Sequence, residues 1–166
     1  MSKVKLIAIL AAFMMAFTGC AGLGTRNSSI IDKIYNDEES YKNQGGTFNM
    51  ESSVQKVDSD LNRYEAEMEF GGIATIWEVD TDKDMSVSMS GSINVENGKA
   101  KLVVVDNDGN TSVMMEKDGT SGSGEEGFGA GFSLSPGKTR LRLVATDKTK
   151  ISLSISADGG EWKKIG

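Results

Sequence analysis

The chain reads as an all-β protein, an antiparallel two-sheet β-sandwich of about eight strands with a short helix before it. Three observations predict this. From Met85 to Val95 apolar and polar residues alternate without a break: Met85, Val87, Met89, Gly91, Ile93 and Val95 against Ser86, Ser88, Ser90, Ser92 and Asn94. Only a two-residue period gathers those apolar side chains on one side, because a helix scatters them around its circumference. Similar stretches recur at hairpin spacing to the end of the chain, separated by Asp, Asn, Gly and Pro. Helical periodicity is nearly absent after residue 62. A partly closed barrel is the alternative; two sheets are preferred because one polar face per strand requires only one shared apolar layer.

The elements follow in order. Ile30 to Lys42 places Ile30, Ile31, Ile34, Tyr35 and Tyr41 on one side of a short helix, with Ser28 or Ser29 as its cap and Asp32 near its positive end; disorder is the alternative. Gly45-Gly46 stop it. Residues 47–61 fit a strand and a helix almost equally. Tyr64, Ala66, Met68 and Phe70 then share a strand face opposite Glu65, Glu67 and Glu69, and Gly71-Gly72 break or bend that strand before the apolar stretch Ile73 to Val79. Asn97-Gly98 carries the chemistry of a hairpin turn after the Met85–Val95 strand.

Ala100, Leu102 and Val104 continue inward. Asp106 to Asn110 turns the chain into the strand Thr111 to Glu116. Six of the 13 residues from Gly119 to Gly131 are glycine, so the first half of that segment reads as a loop able to gate a ligand. The second half alternates Phe128, Ala130, Phe132 and Leu134 with glycines. Ser135-Pro136-Gly137-Lys138 is a type II turn signature. Leu141, Leu143 and Ala145 face inward, Asp147 to Lys150 turns, and Ile151, Leu153 and Ile155 face inward again. Asp158-Gly159-Gly160 ends the strand, leaving Trp162 and Ile165 to cover an open core edge.

The amino terminus has a different character. Lys3 and Lys5 precede an apolar run from Leu6 to Phe17, then Thr18, Gly19 and Cys20, the one cysteine of the chain. A basic start, a short apolar core and a small-residue exit make a leader, and about 20 apolar residues would be needed to span a bilayer. Phe17-Thr18-Gly19-Cys20 resembles the lipobox of bacterial lipoproteins, with Phe17 in the place usually held by Leu. That resemblance implies cleavage before Cys20, lipid on Cys20, and an extracytoplasmic domain anchored to the cell membrane. The organisation expected is therefore a signal peptide over 1–19, a lipid-anchored tether with a short helix over 20–46, and a β-sandwich over 47–166. An ordinary secreted protein with one thiol is the alternative.

A second resemblance covers about 90 residues. The run Asn94 to Asp106, the turn Asp108-Gly109-Asn110, the glycine-rich stretch and Pro136-Gly137-Lys138-Thr139-Arg140-Leu141-Arg142-Leu143 are similar to the carboxy-terminal sandwich of small lipoproteins from Gram-positive bacteria. It implies a jelly-roll-like, galactose-binding-like fold and brings no catalytic residue or ligand with it.

Composition excludes several functions. The 24 acidic residues outnumber the 18 basic ones, and the leader carries two of the latter, so the exported part is the more acidic. Such a surface repels nucleic acid. The chain has no histidine, which removes the usual general base and the commonest zinc ligand. A lone cysteine forbids an internal disulfide. Glu65, Glu67 and Glu69 form a row of the kind a solvated strand face carries, and Glu125-Glu126 lies in the most flexible segment, so neither group suits a glycosidase. No enzyme activity is expected.

Two binding chemistries remain. Asp80, Asp82 and Asp84, and likewise Asp106, Asp108 and Asn110, place oxygen ligands at every second residue, as calcium requires. Both runs fail the helix-flanked calcium loop: its sixth and twelfth positions would be Met85 and Gly91, or Thr111 and Lys117, instead of Gly and Glu. Jelly-roll modules hold calcium with looser spacing; turn formation by Asp and Asn on their own backbone is the competing explanation. For carbohydrate, the candidate platforms are Trp77, Trp162 and Tyr64, which core packing would explain equally well. Lys138, Arg140 and Arg142 form an outward cationic row that meets an acidic polymer or headgroups, or pairs with carboxylates next door. The partners expected are thus the membrane through Cys20 and a wall glycan or envelope protein.

Overall fold

A computed structural model describes residues 30–122 and 124–166. The leader, Cys20 and the expected caps Ser28 and Ser29 lie outside the described residues. Residues 30–35 are helical (α1), and a second short helix, α2, spans Glu38–Lys42. Eight strands follow: β1 (Thr47–Asp58), β2 (Arg63–Thr81), β3 (Met85–Val95), β4 (Lys99–Val105), β5 (Thr111–Asp118), β6 (Glu126–Leu134), β7 (Gly137–Ala157) and β8 (Glu161–Trp162). All pairings are antiparallel, and the fold is an all-β, jelly-roll-like sandwich.

The long strands β2 and β7 run through both layers. In one layer the order is β1-β2-β7-β3-β6; in the other, β8-β2-β7-β4-β5. The corner lies where Phe70 pairs with Thr149 and Gly72 with Ala145, so β7 spends three residues where β2 spends one. Gly72 has φ +107, and a Cβ there would sit 2.1 Å from the Thr47 carbonyl oxygen, so only glycine fits. Lys148 takes φ 54 on the facing strand, and the buried Thr149 donates its hydroxyl to the Thr146 carbonyl at 2.7 Å.

Two expectations are corrected here. Asp147 to Lys150 does not end a strand, because the extra residues are absorbed as the kink that carries β7 between layers. Asn97-Gly98 does not make a hairpin: β3 pairs with β6 and β7, whereas β4 pairs with β5 and β7. The Asn97 amide is committed to β7, accepting from Lys150 N at 2.8 Å and donating to the Lys148 carbonyl at 3.1 Å. The turn therefore passes the chain from one layer to the other. The hairpins β1–β2 and β4–β5 form locally, and the ambiguous segment 47–61 contributes β1.

Between the layers lies the core expected from the alternation, including Tyr64, Met68, Phe70, Ile93, Leu102, Leu141, Leu143 and Ile155. A second apolar cluster occupies the outside of the β4-containing layer. Ile73, Val103, Val105 and Val144 are covered there by Ile31, Ile34, Tyr35 and Tyr41 from the helices. Strands buried on both faces read as continuous apolar runs, as in Leu102-Val103-Val104-Val105. Asp37 caps α2, its carboxylate accepting from Glu39 N at 3.2 Å and from the Ser40 hydroxyl at 2.6 Å. Lys101 is buried with Nζ 4.2 Å from the Tyr35 ring centre.

Candidate binding face

The outer face of the layer β1-β2-β7-β3-β6 presents the polar halves of the alternating strands. Register sets them in rows: Lys56, Glu65, Ser154, Ser92 and Gly127 cross the sheet side by side, and Val54, Glu67, Ser152 and Asn94 form the adjacent row. Neighbouring strands are about 4.8 Å apart, so the second row spans about 14 Å. A hollow of about 560 Å³ follows these rows. A smaller one of about 330 Å³ adjoins it, sharing Val54, Glu67 and Ser152 and continuing past Glu69, Glu96 and Lys150. Together they form a trough across the sheet.

Gly124 and Glu125 close one end. Gly124 N donates to Asn94 Oδ1 at 3.0 Å, and the Ser92 hydroxyl donates to Glu125. At the other end Lys56 Nζ stands 3.8 Å from both Glu65 and Asp58. Serine hydroxyls donate and accept, carboxylates accept, and Asn94 does both, so the trough offers dense two-way hydrogen bonding over a floor of small side chains. Its exposed apolar side chain is Val54, which is 72% exposed. The serines on β3 and β7 are legible in the sequence only as outward-facing; what identifies the trough is that β3 and β7 are neighbours.

The aromatic candidates are elsewhere. Trp77 and Tyr64 are fully buried and Trp162 is nearly so, and each has its polar atom satisfied inside the protein. Trp77 Nε1 donates to the Gly159 carbonyl at 2.9 Å, Trp162 Nε1 to the Asn62 carbonyl at 2.9 Å, and the Tyr64 hydroxyl to Gln55 Oε1 at 2.7 Å. Tyr64 and Trp162 stack with centres 5.7 Å apart. None offers a face to a ligand: apolar burial and an internal hydrogen bond outweigh exposure.

The acidic candidates do not converge. Asp80 lies exposed at the end of β2, opposite Lys138, and Asp82 and Asp84 are exposed in the following turn. Asp106 accepts from Asn110 N and from Asn110 Nδ2, both at 2.8 Å, which builds the turn, while Asp108 points outward exposed. Among the described residues no three carboxylate, histidine or cysteine side chains gather to hold a metal ion.

The expected outward cationic row is split. Lys138 stands 3.8 Å from Glu78, but Arg142 is fully buried beneath the segment after α2. Burial, and then the neighbouring Arg140, lowers its pKa to about 10. The sequence places these cations on the outside of the layer correctly, and the helices then cover that outside.

No protein-family model matches the chain, and no curated protein matches it in sequence. Among solved structures it is similar to a carbohydrate-binding module, CBM6cm-2, from Cellvibrio mixtus lichenase 5A in complex with cellotriose, at 14% identity over 67% of this chain and 89% of that one, with a TM-score of 0.37. It is similar to BiXyn10A CBM1 in its apo form at 9% identity, over 70% and 92% of the two chains, with a TM-score of 0.41. The pre-peptidase C-terminal domain of a Bacillus anthracis collagenase matches at 14% identity over 69% and 90%, with a TM-score of 0.33.

Proposed function

We propose that this protein is a lipid-anchored, extracytoplasmic binding protein that takes a carbohydrate or cell-wall polymer into the trough on its five-stranded face. The observation that carries the reading is the row Glu67, Ser152 and Asn94 beside the row Glu65, Ser154 and Ser92. Neutral sugars present many hydroxyls that both donate and accept, and a floor of hydroxyl, amide and carboxylate groups pairs with them along a chain. A binding face, with no assembled catalytic group, is the chemistry that these residues supply. Anchoring rests on the leader: Lys3, Lys5, the apolar run and the single Cys20 at its end.

Two experiments test it. A glycan array probed with the full chain should give signal that Ser152→Tyr and Ser154→Tyr, which fill the trough, reduce at least about tenfold. An array without signal, or signal unmoved by both fillings, overturns the trough. Labelling cells with radioactive palmitate should mark the wild-type chain and not Cys20→Ser, which should also leave the membrane fraction. Equal labelling of the two overturns the anchor.

A further inference from the structure

Four strands form the edges of the two layers, and three carry devices against pairing with another chain. β1 has a register shift between Met50 and Ser52 and the charges Glu51, Lys56 and Asp58. β5 ends in Glu116, Lys117 and Asp118, and its ladder with β4 is shifted at Leu102/Val103. β8 is two residues long. Charges, bulges and shortness are how sheets prevent edge-to-edge association.

β6 is long, has no bulge, and carries its one charge at its first residue, Glu126, which Lys117 of β5 holds at 3.1 Å. Among the described residues it pairs only with β3, without a register shift, from Glu126 to Leu134. Residues 127–134 contain no charge and no proline. The sequence Gly127-Phe128-Gly129-Ala130-Gly131-Phe132-Ser133 is also close to a palindrome about Ala130. Two antiparallel strands related by a two-fold axis pair residue i with residue j and j with i. With the axis at Ala130, Gly129 faces Gly131 of the second copy, Phe128 faces Phe132, and Glu126 faces Leu134. No like charges meet, and two aromatic pairs form on the core side, where Phe128 and Phe132 are half-buried beside the core. Gly129 and Gly131 have open space above them on the outer face of the sheet, so side chains placed there meet nothing of their own copy.

We infer that β6 joins β6 of a second copy of this chain through a two-fold axis at Ala130, making one continuous ten-stranded face. Both troughs then lie on that face, so a repetitive ligand engages two sites at once and gains avidity. The dimer does not depend on what the troughs bind.

Sedimentation equilibrium of the full chain in density-matched detergent tests this. The wild type should show a reversible monomer–dimer equilibrium. Gly129→Lys with Gly131→Lys places lysines opposite one another twice and should raise the dissociation constant about tenfold or more. Gly129→Glu with Gly131→Lys places each glutamate opposite a lysine of the other copy and should restore the dimer, less so at high salt. Circular dichroism melting of both variants verifies folding, since both side chains enter open space. A wild type that is monomeric at every concentration overturns the inference. So does a dimer indifferent to the paired lysines, and failure of the Glu/Lys variant to recover overturns the register.

Discussion

Arg142, none of whose surface is exposed, donates from Nη2 to the carbonyl oxygen of Gly45 at 2.7 Å and from Nη1 to that of Asn43. No carboxylate is bonded to it among the described residues, and its Nε has no hydrogen-bond partner. The guanidinium thus holds the end of α2 against the outer face of the sheet while bearing an uncompensated charge. Helix carbonyls at a C-terminus favour a cation, which offsets part of that cost.

Replacing this side chain separates its charge from its volume. Arg142→Met keeps most of the volume and removes the buried charge, and should change stability by less than about 1 kcal/mol. Arg142→Ala leaves a cavity and should cost about 2 to 4 kcal/mol. Urea denaturation measures both. Hydrogen exchange at residues 43–46 should rise in both variants, because the latch is gone from each.

Glycine positions separate the corner from the loops. Gly72→Ala meets the Thr47 carbonyl oxygen and a positive φ, and should destabilise by about 3 kcal/mol or more. Gly45→Ala enters open space and should be neutral or gain about 0.5 kcal/mol through the unfolded chain. Equal effects in urea denaturation would contradict the corner geometry.

Two phenols bear on stability at high pH. Burial, then the Glu116 carboxylate that accepts its hydroxyl at 2.6 Å, pushes the Tyr35 pKa far above its ordinary 10.0; burial does the same for Tyr64. A raised pKa means the folded state holds the proton more tightly. The resulting stability is complete below pH 10 and is lost as the pH climbs beyond it. In a spectrophotometric titration Tyr35 and Tyr64 should ionise only as the protein unfolds. Tyr35→Phe should shift the alkaline midpoint upward, and reversible ionisation of Tyr35 and Tyr64 near pH 10 in the folded state would contradict the burial.

Tryptophan fluorescence reports on the core. Trp77 and Trp162 should emit at a blue-shifted maximum and resist iodide quenching until denaturation. Trp77→Phe should cost about 1 to 2 kcal/mol through the lost bond to Gly159 and the smaller ring, with glycan-array signal unchanged. Loss of that signal in a variant that remains folded would return Trp77 to the binding site.

The legible parts of the fold are those written locally. The alternation over 85–95 and 128–134 marks both the strands and their inward faces, and Asp106 to Asn110 does make the β4–β5 hairpin. Asn97-Gly98 misleads because good turn chemistry also serves a crossing between layers once the Asn97 amide finds Lys148 and Lys150. Asp147 to Lys150 misleads in the same way. Val103, Val105 and Val144 reveal a second buried face only when α1 and α2 are seen to cover it. The trough escapes the sequence because Asn94 and Ser152 are 58 positions apart and meet only through the β3–β7 register.

By itself the order of residues determined that the chain after residue 62 forms strands and, over 85–95 and 128–134, which side faces inward, since side chains on a strand alternate at every step. Tertiary structure alone decided which strands are neighbours, that β2 and β7 belong to both layers, and that the tryptophans are core instead of platform. Those outcomes depend on pairings between distant segments, such as Phe70 with Thr149, whose energies come from contacts that no local window contains.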